Sequence, residues 1–309
     1  MENMTELNLD LQSEKEKPLL KVHTFFLFML VWSIAMQFVP SPEGTYQPLA
    51  LFLPCVLYFI FDRQAFRRII VKFKPLKMSA LLIIPLIWIC MLPLDITIIS
   101  TYEALFGDEL STLITSNTVT NPWMLILLTA VTPAVFEELV MRGIILDGYR
   151  NKKVHIAAIM NGLIFGMMHL NTFQFTHTFA TGIVMTYLVY ITGSIFSSML
   201  LHFINNSFPV FIEIFSNPAV SETTEVASTT SSFELFMMFI LALIGLFITF
   251  KLFKKLCKIY DVNIKEDNNT KVFSHEEIIN LPLVGVVLIF ILVSALIIIA
   301  LVLETKGLA

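Results

Sequence analysis

Charge is what this 309-residue sequence has least of. Lys, Arg, Asp and Glu make up 14% of it, where a soluble domain carries about 25%. With 56% hydrophobic residues and a mean hydropathy of +0.80, that shortage excludes an ordinary soluble domain. The formal net charge of −4 supplies no basic surface, so nucleic-acid partners are excluded as well. Cysteine is also scarce: Cys55, Cys90 and Cys257 are scattered in or beside apolar runs with no CxxC pairing. Neither a disulfide framework nor a cysteine zinc site is indicated. The opening 22 residues lack the basic n-region and small-residue cleavage site of a secretory signal. The first hydrophobic span is therefore expected to stay in place behind a polar cytoplasmic tail, 1–19. No internal repeat is present, and no hydrophilic stretch is long enough for a separate soluble domain.

Hydrophobic runs are what the sequence has in abundance. A bilayer core of roughly 30 Å takes about 20 mostly apolar helical residues. That ruler marks nine segments, near 20–39, 46–62, 78–100, 123–148, 154–171, 175–195, 196–215, 233–253 and 281–303. The expected fold is an all-α, polytopic integral membrane protein of about eight to nine transmembrane helices. It divides into N-terminal helices (20–122), a central core (123–215) and C-terminal helices (216–309), the last group interrupted by a polar linker at 254–280. The Ser/Thr-rich 216–232 stretch reads as a flexible outer loop, and His275 and Glu276 in the linker read as surface groups. Basic residues set the orientation. The 63–77 stretch, RQAFRRIIVKFKPLK, carries six and no acid; Arg150, Lys152 and Lys153 follow, then Lys251, Lys254, Lys255 and Lys258. The intervening TYEALFGDELSTLITSNTVTNP and SNPAVSETTEVASTTSSFE have none. The positive-inside rule then places the amino terminus in the cytoplasm.

Against that apolar background a few polar groups stand out, because a carboxylate at the bilayer centre is costly and marks function by default. Glu137 and Glu138 lie well inside the fourth span. Adjacent helical residues point about 100° apart, so the two carboxylates face different ways. Glu138 and Arg142, spaced i, i+4, suit an intrahelical ion pair, which leaves Glu137 free for chemistry. On the fifth span Asn161, Phe165 and His169 recur every four residues; on the seventh, His202 and Asn206 share a face. Glu137 and His169 are each 16 residues from Lys153, which in an antiparallel pair sets them at similar depth. Pro133 and Pro209 deny the carbonyls of Thr129 and Asn205 their helical donors. Gly162 and Gly166 form a GxxxG pair that lets a neighbouring helix come close.

These residues resemble the CPBP family (CAAX proteases and bacteriocin-processing proteins, also called Abi) of intramembrane endopeptidases. Its three motifs, EExxxR, FxxxH and HxxxN or HxxxD, read here as EELVMR (Glu137 to Arg142), FGMMH (Phe165 to His169) and HFINN (His202 to Asn206). The likeness covers roughly 123–215. One departure is Met141, where an aromatic residue commonly precedes the motif arginine; methionine fills similar apolar volume.

The resemblance implies a protease acting on a membrane-associated peptide or lipoprotein-like substrate within the lipid. Glu137, His169, His202 and Asn206 would be catalytic, with Glu138, Arg142 and Phe165 in support. Glu137 with His169 would activate water, and His202 with Asn206 would offer N–H donors to the oxyanion. A second arrangement places Zn²⁺ on Glu137, His169 and His202. With no HExxH helix and no cysteine ligand in the sequence, the metal-free scheme is preferred. The Lys-, Asn- and Ile-rich composition points to a bacterial cell membrane, where the resemblance implies peptide maturation, bacteriocin self-immunity or cleavage of signalling peptides. The competing readings are a non-catalytic scaffold, regulator or immunity protein that binds partner helices, and a proton-coupled transporter.

Overall fold

In a computed structural model, residues 17–40, 42, 44–115, 121–215, 231–265 and 276–305 are described. Among them the chain forms helices only: α1 (Pro18–Met36), α2 (Pro48–Phe61), α3 (Arg63–Ile70), α4 (Met78–Phe106), α5 (Glu109–Thr115), α6 (Pro122–Asn151), α7 (Val154–Met168), α8 (Thr172–Thr192), α9 (Phe196–Phe215), α10 (Ser232–Tyr260) and α11 (Leu281–Thr305). Most of the 1–19 tail, most of the 216–232 loop and His275 lie outside the described residues.

All nine apolar runs are helical, but they are not equal. By length and apolarity α1, α4, α6, α10 and α11 can cross a membrane, and α2 with α3 makes a sixth if the bent pair is one span. The eight to nine crossings expected from the runs are thus five to six by this measure. The 15 residues of α7 reach only about 22 Å at 1.5 Å per residue. Polar groups dilute the other two: Gln174, His177 and Thr181 in α8, and Ser197, Ser198, His202, Asn205 and Asn206 in α9.

A second difference lies after α2. The 63–77 stretch, read as a loop, begins as a helix turned by 115° from α2. Asp62 makes the corner: its carboxylate accepts the Ala65 N–H at 2.8 Å and caps α3. Ala65 and Ile69 are buried while Arg63, Phe66, Arg67 and Ile70 are exposed, so α3 is amphipathic and suited to lie along an interface.

The core is in two parts. One gathers Phe26, Met29 and Leu30 of α1 with Val140, Met141, Ile144 and Ile145 of α6. The other packs Ile84, Ile87 and Met91 of α4 against Met185 and Leu188 of α8 and Leu256 of α10. Large apolar side chains such as Phe236 and Phe247 of α10 and Leu288 and Ile291 of α11 stay exposed, as lipid-facing surface requires.

Glycine permits close contact between α7 and α8. A Cβ on Gly162 would stand 2.7 Å from the Phe179 carbonyl oxygen, and one on Gly182 would stand 2.8 Å from the Gly162 Cα. Backbone cannot yield as a flexible side chain does. Gly162→Ala is therefore expected to lower stability by about 1–3 kcal/mol, read as a fall in the thermal unfolding midpoint of the detergent-solubilised protein. An unchanged midpoint would show that the two helices are not in contact there.

The basic segments meet at one end of the bundle. Lys21 pairs with Asp62, Arg68 with Asp147, and Lys152 donates to the Glu276 carbonyl. Lys77 reaches the Ile259 carbonyl, and the Ser194 hydroxyl donates to the Lys74 carbonyl. His23 bridges the Asn280 side chain at 3.0 Å and the Tyr149 hydroxyl at 2.8 Å. Glu276 is more than the surface group expected of it: its two oxygens accept the N–H groups of Leu19 and Leu20 at 3.0 and 2.9 Å, satisfying the open start of α1.

Candidate active site

Glu137 lies near the middle of α6, a helix interrupted by two wider turns with i→i+5 bonding, Leu127–Val131 and Leu139–Ile145. Such turns re-aim side chains and recur at functional sites. The second follows the glutamate pair directly. Asn161 of α7 braces it, donating from Nδ2 to the Met141 carbonyl at 2.7 Å, and the Thr186 hydroxyl donates in turn to Asn161 Oδ1 at 3.1 Å.

The ion pair expected between Glu138 and Arg142 is present, at 2.8 Å with both side chains fully buried. Arg142 is held on two further sides. Its Nη2 donates to the Gly182 carbonyl at 3.1 Å, and its guanidinium lies 4.7 Å from the centre of the Phe165 ring, a cation–π contact.

Glu138 has a second partner. His202 Nδ1 lies 2.9 Å from the same Oε1 that Arg142 binds. A carboxylate facing Nδ1 makes that nitrogen the donor, so the neutral ring presents a lone pair at Nε2. That Nε2 stands 3.9 Å from Glu137 Oε2, too far for a direct hydrogen bond. Glu137 Oε2 is itself buried and has no hydrogen-bond partner.

His169 ends α7, and its Nδ1 lies 3.0 Å from the Phe165 carbonyl. Since a carbonyl only accepts, Nδ1 donates and Nε2 is left free. The Phe165 ring stands edge-on between the two imidazoles, 5.1 Å from His169 and 5.8 Å from His202. Asn206 is one turn beyond His202. Its Nδ2 donates to the Thr129 carbonyl at 3.1 Å, the group that Pro133 deprives of its ordinary helical donor.

The structure thus brings Glu137, Glu138, Arg142 and His202 together directly and places His169 across Phe165 from them. Among the described residues no hydrogen bond joins His169 or Asn206 to Glu137. Sequence reading missed the Glu138–His202 bond and the bracing from α8. A signal for the latter was present: Gly182 and Thr186 repeat at i, i+4, the spacing that marks a shared helical face. Among the described residues no three His, Cys, Asp or Glu side chains converge to hold a metal ion. The Glu137, His169 and His202 donor set therefore does not fit the Zn²⁺ that the resemblance admits.

Comparison with known proteins agrees with the motifs. Residues 119–208 match the family model described as type II CAAX prenyl endopeptidase Rce1-like. No curated protein and no solved structure matches the chain. The matched stretch begins just before α6, ends in α9 and contains all three motifs together with the buried glutamate–arginine–histidine cluster. Over residues 119–208 this integral membrane protein is thus similar to the Rce1-like CAAX prenyl endopeptidases, in agreement with the CPBP resemblance that its three motifs carry.

Proposed function

We propose that this chain hydrolyses a peptide bond of a membrane-associated substrate, with Glu137 as the base that activates water. The observation that carries the reading is the contrast between two neighbouring carboxylates. Each carboxylate keeps one buried oxygen without a hydrogen-bond partner, but Glu138 is tied through Oε1 to both Arg142 and His202, whereas Glu137 Oε2 makes no direct bond and stands 3.9 Å from the open Nε2 of His202. Two acceptors at that separation both reach one water oxygen at about 2.8 Å. Such a water donates one proton to each.

In the reaction, Glu137 takes a proton from this water as its oxygen attacks the substrate carbonyl carbon. The C–N bond then breaks as the protonated Glu137 returns the proton to the leaving amine. His202 orients the water, a role the resemblance alone gave to His169. Glu138 fixes the His202 tautomer, as carboxylates behind a working imidazole do. The Asn206 amide has a second N–H beyond the one given to Thr129, and it is available to the oxyanion. His169 forms the far wall of the site beyond Phe165.

The setting extends the proposal. Gathering of the Lys- and Arg-bearing turns at one end of the bundle supports a cytoplasmic amino terminus, and the composition supports a bacterial cell membrane. No step in this scheme runs through a metal, so dialysis against a chelator is expected to leave the cleavage rate of the purified protein unchanged. Loss of activity that zinc restores would reject the scheme.

A further inference from the structure

Helix α10 sits unevenly against its neighbours. It is pressed onto α4, where a Cβ on Gly245 would stand 2.0 Å from the Cys90 carbonyl oxygen. Toward α8 it leaves a cavity of about 630 Å³, a size at which pockets enclose a small organic ligand. Ile183 and Tyr187 of α8 line one wall and Phe250 and Phe253 of α10 the other. The walls meet at the Tyr187 and Phe253 rings, 6.0 Å apart between centres.

At its basic end the cavity changes character. After α10 the chain turns at Asp261, whose φ is +55°, and the Val262 N–H donates to the Cys257 carbonyl at 2.9 Å. That turn brings Val262, Ile264 and Lys265 into the lining with Lys254. Both lysines are exposed. The Lys254 ammonium lies 4.5 Å from the centre of the Phe250 ring, and neither lysine makes an ion pair among the described residues. Asp261, exposed at the turn, pairs with neither. Deeper in the lining, Thr249 is buried and its hydroxyl has no hydrogen-bond partner.

The α10 wall from Leu246 to Lys254 extends about 12 Å at 1.5 Å per residue. An apolar slot of that depth, ending in two unpaired ammonium groups, matches a membrane lipid whose chain leads to a negatively charged headgroup. A zwitterionic headgroup would set its own cation against the lysines, so net negative charge is selected. We propose that the cavity between α8 and α10 binds an anionic phospholipid, with an acyl chain between Tyr187 and Phe250 and the headgroup phosphate at Lys254 and Lys265. The place matters because Gly182 and Thr186, which hold Arg142 and Asn161, directly precede Ile183 and Tyr187 on α8. A bound chain packs against the helix that anchors α6 and α7.

Thermal unfolding of the purified full-length protein in nanodiscs tests the site. Discs of phosphatidylcholine are compared with discs containing up to roughly 30% phosphatidylglycerol with the same acyl chains. Tm is expected to rise by several degrees and to saturate as the anionic fraction grows. Lys254→Gln/Lys265→Gln is expected to lose most of that rise. Arg63→Gln/Arg67→Gln removes equal charge from exposed positions of α3 and is expected to keep it. Leu246→Trp fills the cavity at unchanged charge and is expected to abolish the response with both lysines in place. Equal Tm in the two kinds of disc overturns the proposal. So does a rise that the α3 variant loses as fully as the lysine variant, which marks general attraction to an anionic surface, or a rise that Leu246→Trp retains.

Discussion

Replacing Arg142 by methionine is expected to cost the fold about 3–5 kcal/mol, as breaking a buried ion pair does. Neither Arg142 nor Glu138 has side-chain surface open to solvent. Removing the cation leaves the Glu138 carboxylate buried without its arginine, beside the His202 ring. It also frees the Gly182 carbonyl and removes the charge seated on Phe165, so α6, α7 and α8 lose a common anchor. Glu138→Gln is expected to fall in the same range, because it strands the guanidinium instead. The double variant Glu138→Gln/Arg142→Met should be less unstable than the sum of the two, since no buried charge is left unanswered. Unfolding midpoints of the four proteins in one detergent test this. Additive losses, or single losses under about 1 kcal/mol, would mean that water reaches the pair.

Next door, Glu137→Gln is expected to lower hydrolysis roughly a thousandfold while leaving the fold as stable as before or more so. The two effects have one cause. Glu137 Oε2 is a buried oxygen with no partner, so the amide, equal in shape and uncharged, removes a desolvation cost and not an interaction. It also removes the base. Two adjacent residues of one type thus give opposite results, structural collapse at 138 and an intact but inert protein at 137. His202→Ala should show both effects at once, since that ring touches Glu138 at 2.9 Å and faces Glu137 at 3.9 Å. Cleavage rate and unfolding midpoint, measured on the same preparations, separate the three. A Glu137→Gln protein that is unstable in proportion to its loss of activity would place Glu137 in the scaffold and not in the chemistry.

Much of this was legible in the residues because local spacing dictated it. Apolar runs of span length placed nine of the helical segments, all but α3 and α5, the i, i+4 interval of Glu138 and Arg142 gave their ion pair, and Gly162 foretold the close approach of α8. Pro133 marked the Thr129 carbonyl as deprived of its donor, although not that Asn206 would supply one. What stayed hidden depended on relations between helices. The bond from His202 to Glu138 requires α9 to present one face at one depth to α6, which no period within either segment encodes. The widened turn at Leu139–Ile145 adds a residue per turn where the sequence reads as regular helix. The bend at Asp62 was obscured because the arginines after it satisfied the loop reading and an amphipathic interfacial helix equally well. The number of crossings differed for a simpler reason: runs interrupted by His, Asn, Ser and Thr pack inside the bundle as helices without the apolarity that a lipid-facing span needs.

The most direct measurement is mass mapping of peptides released from membranes that hold equal amounts of the wild-type chain or its Glu137→Gln form. New peptide termini that arise with the wild type and vanish with the glutamine, at unchanged Tm, are the predicted outcome. The same set of termini from both membranes would contradict it and remove Glu137 from the centre of the reaction.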